Sequence, residues 1–328
     1  MAESTLSSSK QFTCEPADTP VVLLCGGTSD ERDISLMSGK GVEEALIKEG
    51  FPVTTLDPAD KGFLSAIEQA SEEGAKVAFI CLHGKGGEDG TMQGLCELIG
   101  LPYTGPGVLA SALAMDKVRA KICYRDADLP TPMSMTVKAE DKPDLDDLIA
   151  RVGEKCVVKP ACDGSALGVT IVHDRSELAP ALKTALDLDS QALVEQYVAG
   201  TEVTVAVLGN EDPIALPVIE IVPRNEFYDF DAKYAVGGAQ HIIPARISDE
   251  QTRACQEYAI GAHRALGCMG VSRTDMIIDE GGTPWLLETN TIPGMTATSL
   301  LPDTAAKAGI PYEKLCHLLI DYALETAR

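Results

Sequence analysis

Arg273, Asp275, Glu288 and Asn290 are the residues of this chain best spaced to do chemistry. They lie in "VSRTDMIIDEGGTPWLLETNTIPGMTATSL", residues 271–300, where two apolar runs flank the turn-forming "DEGG". That pattern predicts a β-hairpin. A four-residue loop, Asp279 to Gly282, pairs Ile278 with Thr283, so odd positions of the first strand stand beside even positions of the second. Side chains alternate between faces along a strand, which puts all four polar residues on one face. Two carboxylates and an amide oxygen form a hard-oxygen donor set suited to Mg²⁺. Trp285 and Leu287 are expected on the opposite face, so the sheet is expected to be covered on both sides, where charges need partners. The competing reading is a surface hairpin with solvated charges.

Further candidates lie along the chain. In "KPACDGSALGV", Gly164 and Gly168 make a loop whose backbone N–H groups can approach phosphates, and Lys159 ends the strand before it. A Walker loop needs its Lys after the last Gly and a helix to follow. Here Lys comes first and "VTIV" follows, so a strand–glycine loop–strand flap over a nucleotide is the better reading, with an ordinary glycine hairpin as the alternative. "EQYV", residues 195–198, reads by itself as a plain strand edge; an adenine site there needs backbone and carboxylate partners for the amino group plus an apolar slot. His83 stands where a strand ends before the glycine-rich "GKGGEDG", and Glu31 stands in the first turn of a helix, where a carboxylate also favours the helix dipole. Both read equally as structural or functional. Lys233 and Tyr234 sit in a long loop with Phe227, Tyr228 and Phe230, either a lid or a loop packed down by its aromatics. Beyond the hairpin, the Gly294 N–H with Arg273 can form an oxyanion hole, and Ser299 at a helix start can bind a carboxylate.

The elements that must position these groups follow an α/β plan at first. "VVLLCGGTSDERDISL" and "KVAFICLHGKGGEDGTMQGLCELIG" each read as strand, glycine turn and helix, which predicts a parallel sheet with ligands at its carboxyl ends. "GPGVLASALAMDKVRAKICYRDADLP" reads as one long helix. The pattern then changes to α+β: "CVVKPACDGSALGVTIV" and "ALVEQYVAGTEVTVAVLG" predict an antiparallel sheet in a middle unit. A third unit holds the long loop and the hairpin. The expected division is a polar tail over 1–19, an N-terminal α/β unit over 20–115, a central unit over 116–200 and a C-terminal unit over 201–328.

At 328 residues the chain can bury more than one core. Lys+Arg number 27 against 50 Asp+Glu, a formal charge of −23, which opposes nucleic-acid and anionic-membrane partners. Any anionic ligand must therefore be held by locally placed cations. The ten cysteines sit singly in apolar runs without a C-x-x-C pair, as small buried hydrophobes of a reducing compartment do. No apolar run approaches a membrane span and the polar start lacks a signal-peptide core, so a cytoplasmic protein is expected.

Taken together, "GGTSDERDISL", "LHGKGGEDGTMQGLCELIGLPYTGPGVLASALAMDK", "VVKPACDGSALGV", "FYDFDAKY" and "GVSRTDMIIDEGGTPWLLETNTIPGMTATSLLP" closely resemble the D-alanine–D-alanine ligases of the ATP-grasp superfamily. The resemblance runs from residue 20 to the end. It implies a three-domain ATP-grasp fold, α/β and α+β, with an N-terminal parallel-sheet domain and ATP between the central and C-terminal domains. It implies the ligation of two D-alanines to D-alanyl-D-alanine through an acyl phosphate, with ADP and phosphate released, for peptidoglycan precursors. By motif position, Lys117, Lys159 and Lys233 would contact ATP phosphates. Glu195 and Glu202, with Tyr197 and Val198, would line the adenine and ribose sites. Asp275, Glu288 and Asn290 would hold Mg²⁺ or Mn²⁺, expected as two ions. Glu31 and His83 would position the first D-alanine, with Ser165 and Tyr234 linked to Glu31. Arg273 and the Gly294 N–H would stabilise the oxyanion, and Ser299 with Leu300 would hold the second D-alanine. Gln196 and Ala166 depart from the family pattern, where Lys and a second Ser are common. Tyr234 is the residue associated with dipeptide rather than depsipeptide products, although a D-alanine–D-lactate or D-alanine–D-serine ligase remains the alternative. A homodimer is the family's expectation. A non-catalytic nucleotide-binding module is opposed by the intact polar set, and an oxidoreductase by the lack of G-x-G-x-x-G after the first strand.

Overall fold

A computed structural model describes residues 12–162, 164, 167–223 and 239–326. The first strand, β1 (Val21–Leu24), is buried along its whole length and lies at the centre of a three-stranded parallel sheet. A strand covered on both faces reads as an unbroken apolar run. After α1 (Arg32–Glu49) come β2 (Val53–Leu56), α2 (Phe63–Glu72) and β3 (Val77–Ile80), in sheet order β2-β1-β3. Val21 and Leu23 face one core, Val22 and Leu24 the other. Next come α3 (Thr91–Leu98), α4 (Val108–Met115) and α5 (Lys117–Asp126).

The single helix expected over this last stretch is broken at Asp116. Its backbone is extended (φ −85°, ψ 100°), and its carboxylate accepts the Val118 and Arg119 N–H groups at 2.9 and 3.1 Å. An Asp inside a helical pattern competes for backbone donors and starts a new helix when tertiary contacts reward the break. The reward here is a bond from the Lys117 N–H to Ala161 O at 2.9 Å, which fixes Lys117 against the glycine loop.

The second sheet holds β4 (Ser134–Lys138), β5 (Cys156–Pro160), β6 (Thr170–Val172) and β7 (Gln191–Gln196) in the antiparallel order β4-β7-β5-β6. Helices α6 (Leu145–Val152) and α7 (Arg175–Leu188) cover one face through Val158, Val194, Leu148 and Leu178. The other face, with Val157, Lys159 and Ile171, lines a cavity.

The third sheet is also antiparallel. It holds β8 (Gly200–Gly209), β9 (Ile214–Ala215), β10 (Ile219–Pro223), β11 (Ala239–Ile242), β12 (Gly270–Asp279) and β13 (Pro284–Asn290), in order β11-β10-β8-β12-β13 with β9 beside β8. Helix α8 (Asp249–Ala265) packs behind it, and Tyr124 of α5 is fully buried in the same core. Two last helices, α9 (Leu300–Lys307) and α10 (Tyr312–Glu325), carry the chain back to the first sheet, where Leu315 and Leu319 join Leu23 and Phe79.

That return shortens the expected N-terminal tail. Asp321 of α10 accepts hydrogen bonds from Thr13 N, Thr13 Oγ1 and Cys14 N at 2.9–3.1 Å, and Phe12 stacks on His317 with ring centroids 4.1 Å apart. Residues 12–19 are thus part of the packed fold, whereas 1–11 lie outside the described residues. All ten cysteines are free, seven of them buried as expected of small hydrophobes. Among the described residues no helix is long and apolar enough to cross a membrane.

Candidate active site

The β12–β13 hairpin carries the polar cluster that the sequence singles out, by a different route from the one expected. The loop is one residue shorter, because the Asp279 N–H bonds to Thr283 O, so Ile278 pairs with Pro284 rather than Thr283. A bulge then shifts the register once more: the neighbours Asp275 and Met276 pair with Glu288 and Leu286, which leaves Leu287 as the extra residue on β13. The two shifts restore the parity: Arg273 pairs with Asn290 and Asp275 with Glu288. Trp285 and Leu287 are not on the opposite face. Trp285 pairs with Ile277, and Leu287 lines the same cavity as Asp275 and Glu288. The covered face is instead Met276, Ile278 and Leu286, all buried in the third core. A bulge re-aims the residues around it, and no alternation of types reveals one in advance.

Asp275 sits in the centre of the sheet, 8% exposed. Its carboxylate accepts Arg273 Nε and an Arg273 terminal nitrogen at 3.0 and 2.8 Å, and Thr204 Oγ1 at 2.5 Å. Glu288 lies 3.4 Å from Lys117 Nζ. Asn290 Oδ1 accepts the Ile292 N–H at 2.9 Å. Asp275 Oδ2 and Asn290 Oδ1 each accept one of the bonds named and keep a second lone pair, and a set of two carboxylates and an amide oxygen suits a hard divalent cation.

Between the second and third sheets lies a cavity of about 420 Å³, within the range of nucleotide-sized sites. Val157, Ile171, Ile277 and Leu287 supply apolar walls, and Tyr197, Val198 and Glu202 line the same space. Lys155 Nζ lies 3.8 Å from the Tyr197 ring centroid, a cation–π contact that holds the ring. Lys159 and Glu195 share the inward face because Val157 pairs directly with Glu195. The Glu195 carboxylate, 2% exposed, is committed to two ammonium groups, Lys121 Nζ at 2.7 Å and Lys159 Nζ. Glu195 also lines the cavity, so it faces a bound ligand while it pairs with both lysines. Burial alone would raise Glu195, yet Lys121 and Lys159 hold it below the usual carboxylate range. Burial also pulls on Lys159, but Glu195 and Glu288 outweigh it and keep its ammonium above the ordinary lysine value. Gln196 donates its N–H to Met133 O and lines the cavity.

A second cavity, about 130 Å³, adjoins the first at Lys117 and Glu288, which line both. Its walls bring together Glu31, His83, Arg273, Asn290, Gly294, Ser299 and Leu300. Glu31 is 8% exposed just before α1. A Cβ at Gly84 or at Gly164 would lie 2.9 Å from its Oε2, and Gly84 also adopts φ +70°, so the two glycine loops approach this carboxylate closely. His83 Nε2 meets Ser38 Oγ at 3.3 Å, and its Nδ1 lies 4.0 Å from Glu88. Ser299 Oγ accepts the Thr296 N–H at 3.0 Å.

Sequence reasoning missed Glu88, Lys121 and Thr204. Glu88 was legible as the acid of "GKGGEDG" beside His83. Lys121 was one turn beyond Lys117 but hidden by the reading of one continuous helix. Thr204 carried no signal, being one polar residue in an apolar strand. Ser165, Ala166, Phe227, Tyr228, Phe230, Lys233 and Tyr234 lie outside the described residues.

The family model described as D-ala D-ala ligase C-terminus matches residues 123–321, and that described as D-ala D-ala ligase N-terminus matches residues 58–106. A D-alanine–D-alanine ligase of Syntrophobacter fumaroxidans is 49% identical over 307 residues, covering 93% of this chain and 97% of the relative. One of Pelotomaculum thermopropionicum is 46% identical over 311 residues, covering 93% and 96%. The crystal structure of D-alanine–D-alanine ligase from Bacillus anthracis complexed with ATP superposes with a TM-score of 0.82 at 31% identity, covering 94% of this chain and 98% of that one. With two family models spanning more than half of its length and relatives near half identical along nearly all of it, the chain belongs to the D-alanine–D-alanine ligase family and has its ATP-grasp fold.

Proposed function

We propose that the protein joins two D-alanines to D-alanyl-D-alanine at the expense of ATP, releasing ADP and phosphate, as a step toward peptidoglycan. The observation that carries this reading is that two cavities, one nucleotide-sized and one small and polar, meet at Lys117 and Glu288. A phosphoryl donor in one and a carboxylate in the other would face each other there. Relatives along nearly the whole chain are named for this product.

In this reading Lys117 and Lys159 hold the ATP phosphates, joined by Lys233. Tyr197 and Val198 flank the base, with Glu202 toward the ribose. Asp275, Glu288 and Asn290 would hold Mg²⁺ or Mn²⁺, one ion or two, which neutralises phosphate charge during transfer. Glu31 and His83 place the first D-alanine so that its carboxylate oxygen attacks the γ-phosphorus and ADP leaves. The amine of a second D-alanine, held by Ser299 and the Leu300 end of α9, then attacks the acyl carbon. Negative charge grows on that carbonyl oxygen, and Arg273 with the Gly294 N–H stabilises it until phosphate is expelled. Ser165 and Tyr234 complete the link to Glu31. The proposed units are 20–115, 116–200 and 201–328, in a cytoplasmic homodimer.

The test is incubation with ATP, Mg²⁺ and D-alanine, reading phosphate release and product mass. We expect phosphate release that depends on D-alanine, ceases on chelation of the divalent ion, and accompanies a product of dipeptide mass. Release that ignores D-alanine overturns the reading, and a preference for D-lactate at neutral pH assigns a depsipeptide product instead.

A further inference from the structure

Lys121 is fully buried on α5, a helix whose Tyr124 packs into the core of the third sheet, yet its ammonium crosses to the second sheet. There it meets Glu195 Oε2 at 2.7 Å and Thr131 Oγ1 at 2.6 Å. Thr131 in turn donates to Leu286 O at 2.8 Å, which ties the ammonium to β13. The other Glu195 oxygen holds Lys159, the cation at the edge of the larger cavity.

We propose that Lys121 is a positioning residue of the nucleotide site, holding Glu195 so that Lys159 is fixed in place with net positive charge left for the triphosphate. The physical reason is a count of charges. Glu195 with Lys159 alone is a neutral pair whose field on a phosphate largely cancels, and the carboxylate is free to draw the lysine away from the ligand. A second ammonium on the same carboxylate makes the cluster +1 and divides the pull of Glu195 between two partners. At low local dielectric such terms are large, and a buried charge that loses its partner is strongly unfavourable. Burial, only partly offset by Glu195, draws Lys121 down to about 8, as expected of an ammonium kept charged by one shared carboxylate. The bridge also links two sheets across the cleft, so the cation that grips the nucleotide is held from both sides.

The inference rests on the nucleotide reading, which wild-type phosphate release with D-alanine tests separately in the same assay. The experiment is steady-state kinetics of Lys121→Met, Lys121→Arg and the double variant Lys121→Met with Glu195→Gln, with thermal unfolding to confirm that each is folded. We expect Lys121→Met to raise KM for ATP about tenfold or more, with KM for D-alanine within about twofold, and Lys121→Arg to recover most of the loss. In the Glu195→Gln background, removing Lys121 should no longer raise KM for ATP, because residues acting through one partner are not additive. An unchanged KM for ATP in folded Lys121→Met, an equal rise for both substrates, or an equal rise in the Glu195→Gln background each overturns the proposal. Should Lys121→Met not fold, Lys121→Gln takes its place. An unchanged KM for ATP in that variant overturns the proposal equally.

Discussion

Asp275 and Glu288 face each other across β12 and β13, and the proposed metal role treats them alike, yet the structure predicts effects of very different size on stability when each is neutralised. Asp275→Asn removes the charge that pairs with Arg273, and both side chains are 11% exposed. A buried pair broken at one partner costs about 3–5 kcal/mol. At roughly 2–4 °C per kcal/mol, that lowers the melting temperature by roughly 6–20 °C. Glu288 is about one-third exposed and lies 3.4 Å from Lys117. Solvent screens such a pair, so Glu288→Gln should cost less than about 1 kcal/mol. Both variants should lose phosphate release by about a hundredfold or more, since a transition-state electrostatic contact is worth several kcal/mol. The assay is thermal unfolding without ligand beside phosphate release across a Mg²⁺ titration. If Asp275→Asn melts within about 2 °C of the native protein, the Arg273–Asp275 pair does not support the fold as described. If Glu288→Gln turns over at native rates in limiting Mg²⁺, the metal assignment fails.

His263 and Asp321 give two further predictions about stability. Burial holds His263 down to about 4, with Nδ1 2.7 Å from Ser272 Oγ. The unfolded chain takes up this proton near pH 6.5 and the folded chain only near 4, so the contribution is present above 6.5 and lost as pH falls toward 4. It amounts to about 3 kcal/mol at most, and the difference between native and His263→Gln unfolding curves across that window should shrink with falling pH; a constant difference refutes it. Asp321→Ala leaves the Thr13 and Cys14 donors without their acceptor, which should cost about 1–3 kcal/mol and speed hydrogen exchange at both amides; unchanged exchange shows that the N-terminal segment is held by other contacts.

The hairpin shows how far pattern reading reaches. Strand alternation placed Arg273, Asp275, Glu288 and Asn290 together correctly, but the agreement came from two shifts that cancel, a shorter loop and a bulge. The same shifts moved Trp285 and Leu287 to the cavity side. Local composition announces a turn; it does not count the ladder bonds on either side of it. The break at Asp116 is of the same kind. An Asp in a helical run is tolerated or becomes a cap according to what the next residue gains, and Lys117 gains a bond to Ala161 at the start of the distant glycine loop.

What the sequence determined by itself is the parallel character of the first sheet, the antiparallel character of the second, and the chemical types brought together on the hairpin. These follow from local periodicity and from residue chemistry, both carried along the chain. The tertiary structure alone decided which charges neutralise one another. Glu195 as the shared partner of Lys121 and Lys159, and Glu31 enclosed by Gly84 and Gly164, join groups distant in sequence. Electrostatic energy depends on separation in space and on burial, and neither quantity exists until the sheets have packed.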